Sequence, residues 1–208
     1  MTKLVVFDLD GTIIVNSEFY RTVYSGTLNQ IVAEKRGEKG IEVLQHCRKN
    51  YDGKGQLALF ALNIPFREWA QLLINAPVES IEPQPHLCRQ IRSLPVIKIV
   101  YTGSPVEMVF KTLQRVGFNP DRDFDLIIGW REPEFFPVKW ACSPIVFERV
   151  LQKFSVLPEE AWAVGNVWNT DLLPAQAVGM KTALIRKSGG APDTHFSSIE
   201  TFIKSLDF

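Results

Sequence analysis

The run Leu4-Val5-Val6-Phe7 has no polar position on either face, and it breaks off at Asp8-Leu9-Asp10-Gly11. A strand of that kind has to be covered on both sides, so it reads as buried, and the acids and glycine mark a loop at its carboxyl end. The pattern recurs along the chain. Ile97 to Tyr101 ends in Thr102-Gly103-Ser104-Pro105, Leu126-Ile127-Ile128 follows, Ala161 to Val164 ends in Gly165-Asn166, and Thr182 to Ile185 comes last. Helical stripes lie between the runs. One places Val106, Val109, Phe110, Leu113 and Val116 on a single face; another spans Ile145 to Phe154; a short one, Asp171 to Val178, stops at Gly179. Strands alternating with helices predict a parallel sheet covered on both faces.

Residues 16–81 interrupt this alternation. They hold no convincing strand, and Phe19 to Ala33, Ile41 to Lys49, Gln56 to Leu62 and Phe66 to Leu73 read as helices with polar connections. Glu82-Pro83-Gln84-Pro85 punctuates the return. The fold class is therefore α/β, a Rossmann-like doubly wound parallel sheet with an inserted α-helical cap domain. Its core comprises residues 1–15 and 82–208, and the helical domain residues 16–81. An insertion at that point belongs over the carboxyl ends of the strands, where α/β sheets place their sites. A lid is the favoured reading, and helices merely packed on the sheet the plainer one.

At 208 residues the chain is long enough for a core domain with a smaller inserted one. Its 23 basic residues balance 23 acidic ones, so no global field draws in nucleic acid or an acidic membrane. No apolar run approaches the roughly 18 residues that a membrane span needs, and the N-terminus lacks the shape of a signal peptide. Cys47, Cys88 and Cys142 are widely spaced and form no Cys-x-x-Cys, which argues against a disulfide framework or a zinc site and for thiols in a reducing cytoplasm. The expected partner is a small molecule. Oligomeric state is left open.

Asp8 and Asp10 carry the chemistry. They lie two apart where a buried strand ends, and the turn at Gly11 lets both converge on one ligand. Paired carboxylates suit an oxygen-seeking divalent cation such as Mg²⁺. They also suit a division of labour, in which one carboxylate attacks and the other moves a proton.

Phe7-Asp8-Leu9-Asp10-Gly11-Thr12 resembles the first motif of the haloacid dehalogenase superfamily of phosphatases. Further motifs follow in order. Tyr101-Thr102-Gly103 resembles the second, Lys139 ahead of Pro144 to Phe147 the third, and Val164-Gly165-Asn166 with Asp171 the fourth; Ala175 to Met180 matches the run into Ala-Gly-Met. The resemblance implies that Asp8 is a nucleophile taking the phosphoryl group as an aspartyl-phosphate. It implies that Asp10 protonates the leaving oxygen and later activates water, and that Thr12 supports the loop. Thr102 and the Gly103 amide would hold phosphate oxygens, and Lys139 would neutralise charge. Asp171 would bind Mg²⁺ with Asp8 and the main-chain carbonyl of Asp10, and Asn166 would ligate the metal or order its water. Asp10 argues for phosphate esters, since the superfamily's dehalogenases lack that second aspartate.

Two departures from the family pattern carry expectations. Asn166 stands where the family usually has aspartate, which predicts weaker Mg²⁺ binding. Lys139 sits two residues farther from the Pro-x-x-Phe helix start than usual, so its loop must bulge to bring it in. Lys181 is the poorer alternative. Trp130, Arg131, Phe135, Phe136, Trp140 and Trp168 could stack on a planar substrate group or pack as structure. Arg48 and Lys49 with Tyr51-Asp52-Gly53-Lys54-Gly55 could face substrate or solvent. His46, His86 and His195 read as surface or satisfied residues. The stretch from Tyr51 through Pro85, Leu87 and Leu94-Pro95 loosely resembles the pyrimidine 5′-nucleotidase-like branch. The leading expectation is a phosphatase acting on a small phosphate monoester, a nucleotide or sugar phosphate. The alternatives are a mutase of the β-phosphoglucomutase type and a non-catalytic phosphometabolite-binding protein.

Overall fold

In the computed structural model, residues 1–208 are described except Asp52, Gly53, Pro133, Phe135 and Phe136, and except the side chain of Ser17. All four residues of β1 (Leu4–Phe7) are buried. Alternate side chains leave a strand on opposite faces. Leu4 and Val6 join Phe147, Val150 and Leu151 in one hydrophobic cluster, while Val5 and Phe7 are buried just as deeply on the other face.

After β1 come α1 (Ser17–Phe19), a π-helical turn (Tyr20–Ser25), α2 (Gly26–Asn50), α3 (Leu57–Ala61) and α4 (Phe66–Asn75). The chain then runs through α5 (Pro85–Arg92), β2 (Ile97–Pro105), α6 (Val106–Val116), α7 (Pro120–Asp123) and β3 (Leu126–Trp130). It finishes with α8 (Ile145–Phe154), β4 (Ala161–Gly165), α9 (Leu173–Gln176), β5 (Lys181–Ile185), β6 (Thr194–Phe196) and α10 (Ile199–Ser205). The strands form one sheet in the order β3-β2-β1-β4-β5-β6, and every pairing is parallel. The chain steps outward from β1 to β3, then restarts at β4 on the other side of β1. The switch point of this doubly wound sheet is therefore the β1–β4 boundary, the place where such folds hold ligands beyond the strand ends.

The Val106–Val116 and Ile145–Phe154 stripes are α6 and α8, and α6 ends at Gly117 in the left-handed conformation that closes many helices. Four elements were not expected from the sequence, α5, α7, β6 and α10. α5 is short, β6 is a three-residue edge strand, and α10 starts from a Ser198–Thr201 capping box. The Asp171-to-Val178 stripe is not one helix. A π-helical turn, Trp168–Leu172, precedes α9, whose first turn holds Pro174. Proline has no N–H to extend a preceding helical ladder but fits a first turn. On the face opposite α8, Phe202 of α10 meets Trp162 of β4 and Phe196 of β6 edge to face.

The chain divides into two compact units, Met1–Val15 with Glu82–Trp130 and Pro137–Phe208, and Asn16–Ile81 with Arg131–Phe136. In the helical unit, the stripes Phe19 to Ala33 and Ile41 to Lys49 flank Gly37, whose non-helical backbone (φ 59°, ψ −152°) breaks α2. Phe19, Tyr20, Tyr24, Phe66 and Trp69 form a chain of ring contacts, and Trp69 Nε1 donates to Thr27 Oγ1 at 2.8 Å. Asn16 Nδ2 donates to the Ser80 carbonyl, tying the entry of this unit to its exit. Among the described residues no helix is long and apolar enough to cross a membrane.

Candidate active site

Asp8 sits one residue past β1 and extends its pairing to β4, its N–H donating to the Val164 carbonyl at 2.8 Å. Its side chain is buried. Thr12 Oγ1 donates to Asp8 Oδ2 at 2.8 Å, because the Gly11 turn folds the chain back over the carboxylate. Asp8 Oδ1 pairs with Lys139 Nζ. The lysine is 5% exposed and donates also to the Tyr101 carbonyl, at 2.9 Å, and to Asp171 Oδ1, at 3.0 Å. It arrives on a 3₁₀ turn, Val138–Ala141, closed by Cys142 in left-handed conformation (φ 53°). That turn is the form the expected bulge takes.

The balance of charge here is uneven. Burial, then the nearby Asp171, push the Asp8 carboxyl up to about 7, and Lys139 only partly offsets them. Burial alone would lower the Lys139 ammonium, but Asp171 and Asp8 outweigh it and hold it above its ordinary value. Two carboxylates share one cation in a dry place.

Asp171 lies in the π-helical turn and is enclosed by donors. The amides of Asn166 and Val167 reach its Oδ2 at 3.0 and 2.8 Å; Thr170 Oγ1 reaches Oδ1 at 2.9 Å, beside Lys139. Four donors fill the ordinary capacity of a carboxylate. As a metal ligand, the role expected of it, Asp171 would have to exchange one of them. The packing leaves no room for a side chain at position 165, since a Cβ on Gly165 would lie 2.5 Å from Asp171 Oδ2.

Asn166 lies against Gly11, where a Cβ would come within 2.0 Å of Asn166 Nδ2 and where φ is +94°. Glycine is thus required there twice over. Asn166 Oδ1 is buried and accepts no hydrogen bond from the protein. A buried acceptor without a donor calls for another electropositive partner. An amide oxygen and a carboxylate are ligand types that suit Mg²⁺, and Asn166 and Asp8 follow the ends of the neighbouring strands β4 and β1, so these two side chains would hold it. Among the described residues no group of three or more His, Cys, Asp or Glu side chains could hold a metal, so the amide and main-chain carbonyls would have to complete the set.

Asp10 is half-buried and in different company. Thr102 Oγ1 donates to Asp10 Oδ2 at 2.9 Å, and Ser104 Oγ donates to the same oxygen at 2.6 Å. The Ser104 amide donates to Thr102 Oγ1 at 3.1 Å. Thr102 was expected to hold phosphate; here its hydroxyl proton is directed at Asp10. Gly103, between the two hydroxyls, is packed against the Trp140 indole. Sequence reasoning passed over Ser104, although its spacing of two from Thr102 on a strand puts both side chains on one face. It also missed Thr170, and Arg186, whose Nη1 donates at 3.3 Å to the carbonyls of Gly11 and Thr12.

None of the remaining candidates takes part in the hydrogen bonds given above for Asp8, Asp10, Lys139 and Asp171. His46, His86 and His195 are exposed. Trp130 is buried, Trp140 and Trp168 are half-buried, and Arg131 is exposed. Lys181 Nζ lies over the Trp162 ring. Phe135, Phe136, Asp52 and Gly53 lie outside the described residues. The three cysteines are free thiols.

The chain's likeness to solved structures extends over nearly its whole length. A phosphoglycolate phosphatase assignment from Lactobacillus plantarum is 16% identical, with 98% of this chain and 99% of that one covered and a TM-score of 0.67. For a HAD phosphatase from Thermococcus onnurineus the values are 20%, 98% and 97%, with a TM-score of 0.59. For a 2-haloacid dehalogenase from Pseudomonas syringae they are 18%, 98% and 97%, with a TM-score of 0.59. At such identities the likeness establishes the fold alone. No curated protein sequence matches the chain. The family model for haloacid dehalogenase-like hydrolases matches residues 2–179, and with that span the chain belongs to the haloacid dehalogenase-like hydrolases.

Proposed function

We propose that the chain is a Mg²⁺-dependent phosphatase that hydrolyses a small-molecule phosphate monoester through an aspartyl-phosphate on Asp8. The observation that carries this reading is the unlike surroundings of two carboxylates at the end of one strand. Asp8 is buried beside a lysine, and Asp10 is half-buried and anchored by two hydroxyls. A halide leaves as a stable anion and needs no proton. An alkoxide needs one, so a second anchored carboxylate favours phosphate esters over haloacids.

In this mechanism Asp8 Oδ attacks phosphorus, the bond from phosphorus to the ester oxygen breaks, and Asp10 gives its proton to that oxygen. Asp10 then takes a proton from water as the water attacks the acyl phosphate, releasing phosphate and restoring Asp8. Lys139 offsets charge on Asp8 and on the phosphoryl oxygens, the main requirement of such transfers. Asp8, Asn166 Oδ1 and the Asp10 main-chain carbonyl would hold Mg²⁺, which supplies further charge neutralisation when bound. We assign residues 16–81 the part of a cap that selects the substrate.

The test is hydrolysis of p-nitrophenyl phosphate with and without Mg²⁺, alongside a panel of nucleotides, sugar phosphates and phosphoglycolate. Metal-dependent turnover should fall on the order of 10³-fold or more in Asp8→Asn, the scale of losing a covalent nucleophile. Absence of metal-dependent turnover across the panel would overturn the reading and favour a binding protein.

A further inference from the structure

We propose that Ser104 is a positioning residue for Asp10, holding that carboxylate in place while the Thr102 hydroxyl turns from Asp10 to the phosphoryl group. The inference rests on the phosphatase reading above. Thr102 has a single O–H. In the arrangement observed, that proton points at Asp10 Oδ2, and the Ser104 amide occupies a lone pair of the same hydroxyl. Thr102 can therefore donate to a phosphate oxygen only by releasing Asp10. Were Thr102 the only hydroxyl on Oδ2, its turn to phosphate would strip that oxygen of its hydroxyl donor at the moment Asp10 has to deliver a proton.

Ser104 removes that conflict. Its hydroxyl reaches the same oxygen, Oδ2, by the shorter bond, 2.6 Å against 2.9 Å. Its own place is set by the sheet and not by substrate. It is 4% exposed, near the end of β2, where the pairing with β3 shifts register between Tyr101 and Pro105. Gly129 of β3 packs so closely that a Cβ there would lie 2.7 Å from the Ser104 carbonyl oxygen. The Trp140 indole against Gly103 braces the residue between the two hydroxyls. Two hydroxyls on one strand face thus divide the work, Thr102 exchanging partners and Ser104 keeping its own. Misplacing a catalytic group by about 1 Å costs on the order of 10²-fold, so an anchor of this kind has a measurable effect.

Leaving-group dependence tests the proposal. p-Nitrophenolate departs without a proton, whereas an alkoxide departs only with one from Asp10. We compare kcat/KM, which reports steps up to formation of the aspartyl-phosphate, for p-nitrophenyl phosphate and for the alkyl phosphate of the panel that the wild type hydrolyses best. Ser104→Ala should lower the alkyl phosphate value about 10- to 100-fold and the p-nitrophenyl phosphate value by less than about threefold. Competitive inhibition by inorganic phosphate should be unchanged, because Ser104 does not itself bind the phosphoryl group. Equal losses on both esters, no loss on either, or weakened phosphate inhibition overturns the inference while leaving the phosphatase reading intact. A wild type that hydrolyses neither ester overturns both. Ser104→Cys keeps the side chain's size and loses most of its donor strength, and carries the same comparison if the alanine variant does not fold.

Discussion

Residues 16–81 and the α/β unit bury different kinds of side chain. In the helical unit, among the described residues, the buried residues are apolar or glycine and the ring chain from Phe19 to Trp69 fills the interior; the exception at the level of atoms is Nη2 of half-buried Arg48, which is buried without a hydrogen-bond partner. In the α/β unit Asp8, Lys139 and Asp171 are buried together, with the hydroxyls of Thr12, Thr102, Ser104 and Thr170 around them. Ring packing needs no partner beyond neighbouring surface. Charges taken out of water need opposite charges and donors, and even then their attraction barely repays desolvation. A buried charge cluster at the switch point of the sheet is the arrangement expected of a catalytic site, and it is the one on which the proposed function is built.

Removing the shared cation gives the largest effect on this contrast. Lys139→Ala leaves Asp8 and Asp171 facing each other in a buried site, and should cost about 3–5 kcal/mol of stability as well as most of the turnover. A urea midpoint and a p-nitrophenyl phosphate assay check the two effects. Unaltered activity would strike Lys139 from the site.

The matching change in the helical unit is Trp69→Ala. It removes a nearly buried ring and its bond to Thr27, and should destabilise by about 3–5 kcal/mol through the cavity alone. The Mg²⁺ dependence of turnover should stay as in the wild type. A shift in that dependence would mean that the division between packing and chemistry fails.

Asn166→Asp sharpens the comparison most gently. A carboxylate in place of the buried amide adds negative charge beside Asp8 and Asp171, so the metal-free protein should melt lower. Mg²⁺ should then bind tighter by on the order of tenfold, about 1.4 kcal/mol, as ligand charge rises. The melting temperature across a Mg²⁺ titration reads both effects, and an unchanged Mg²⁺ midpoint would remove Asn166 from the donor set.

Much of this molecule is legible in its residues. Leu4 to Phe7, apolar throughout, has to lie at the centre of a covered sheet, and β1 does. The stripes of α6 and α8 match their periodicity end to end. The elements that escaped are those whose stability comes from elsewhere. Thr194-His195-Phe196 is too short to alternate clearly and becomes a strand because Ala183 to Ile185 lies beside it. Trp168–Leu172 takes a π-helical path while Asp171 is held by the amides of Asn166 and Val167. In the site, Asp8, Asp10, Lys139 and Asp171 were legible as residues, but the hydroxyl of Ser104 was not.

What the sequence determined by itself is the central parallel strand and the ordered set of polar residues at strand ends, since apolar periodicity and loop-forming residues are local properties of the chain. Only the tertiary structure decided which partner each polar group takes. Lys139 meets Asp8 across 131 positions of sequence, Thr102 turns to Asp10 across 92, and Asp171 is filled by donors while Asn166 Oδ1 has none. Those choices follow from sheet register and from the path of a few turns, which bring groups to within about 3 Å of each other or leave them apart.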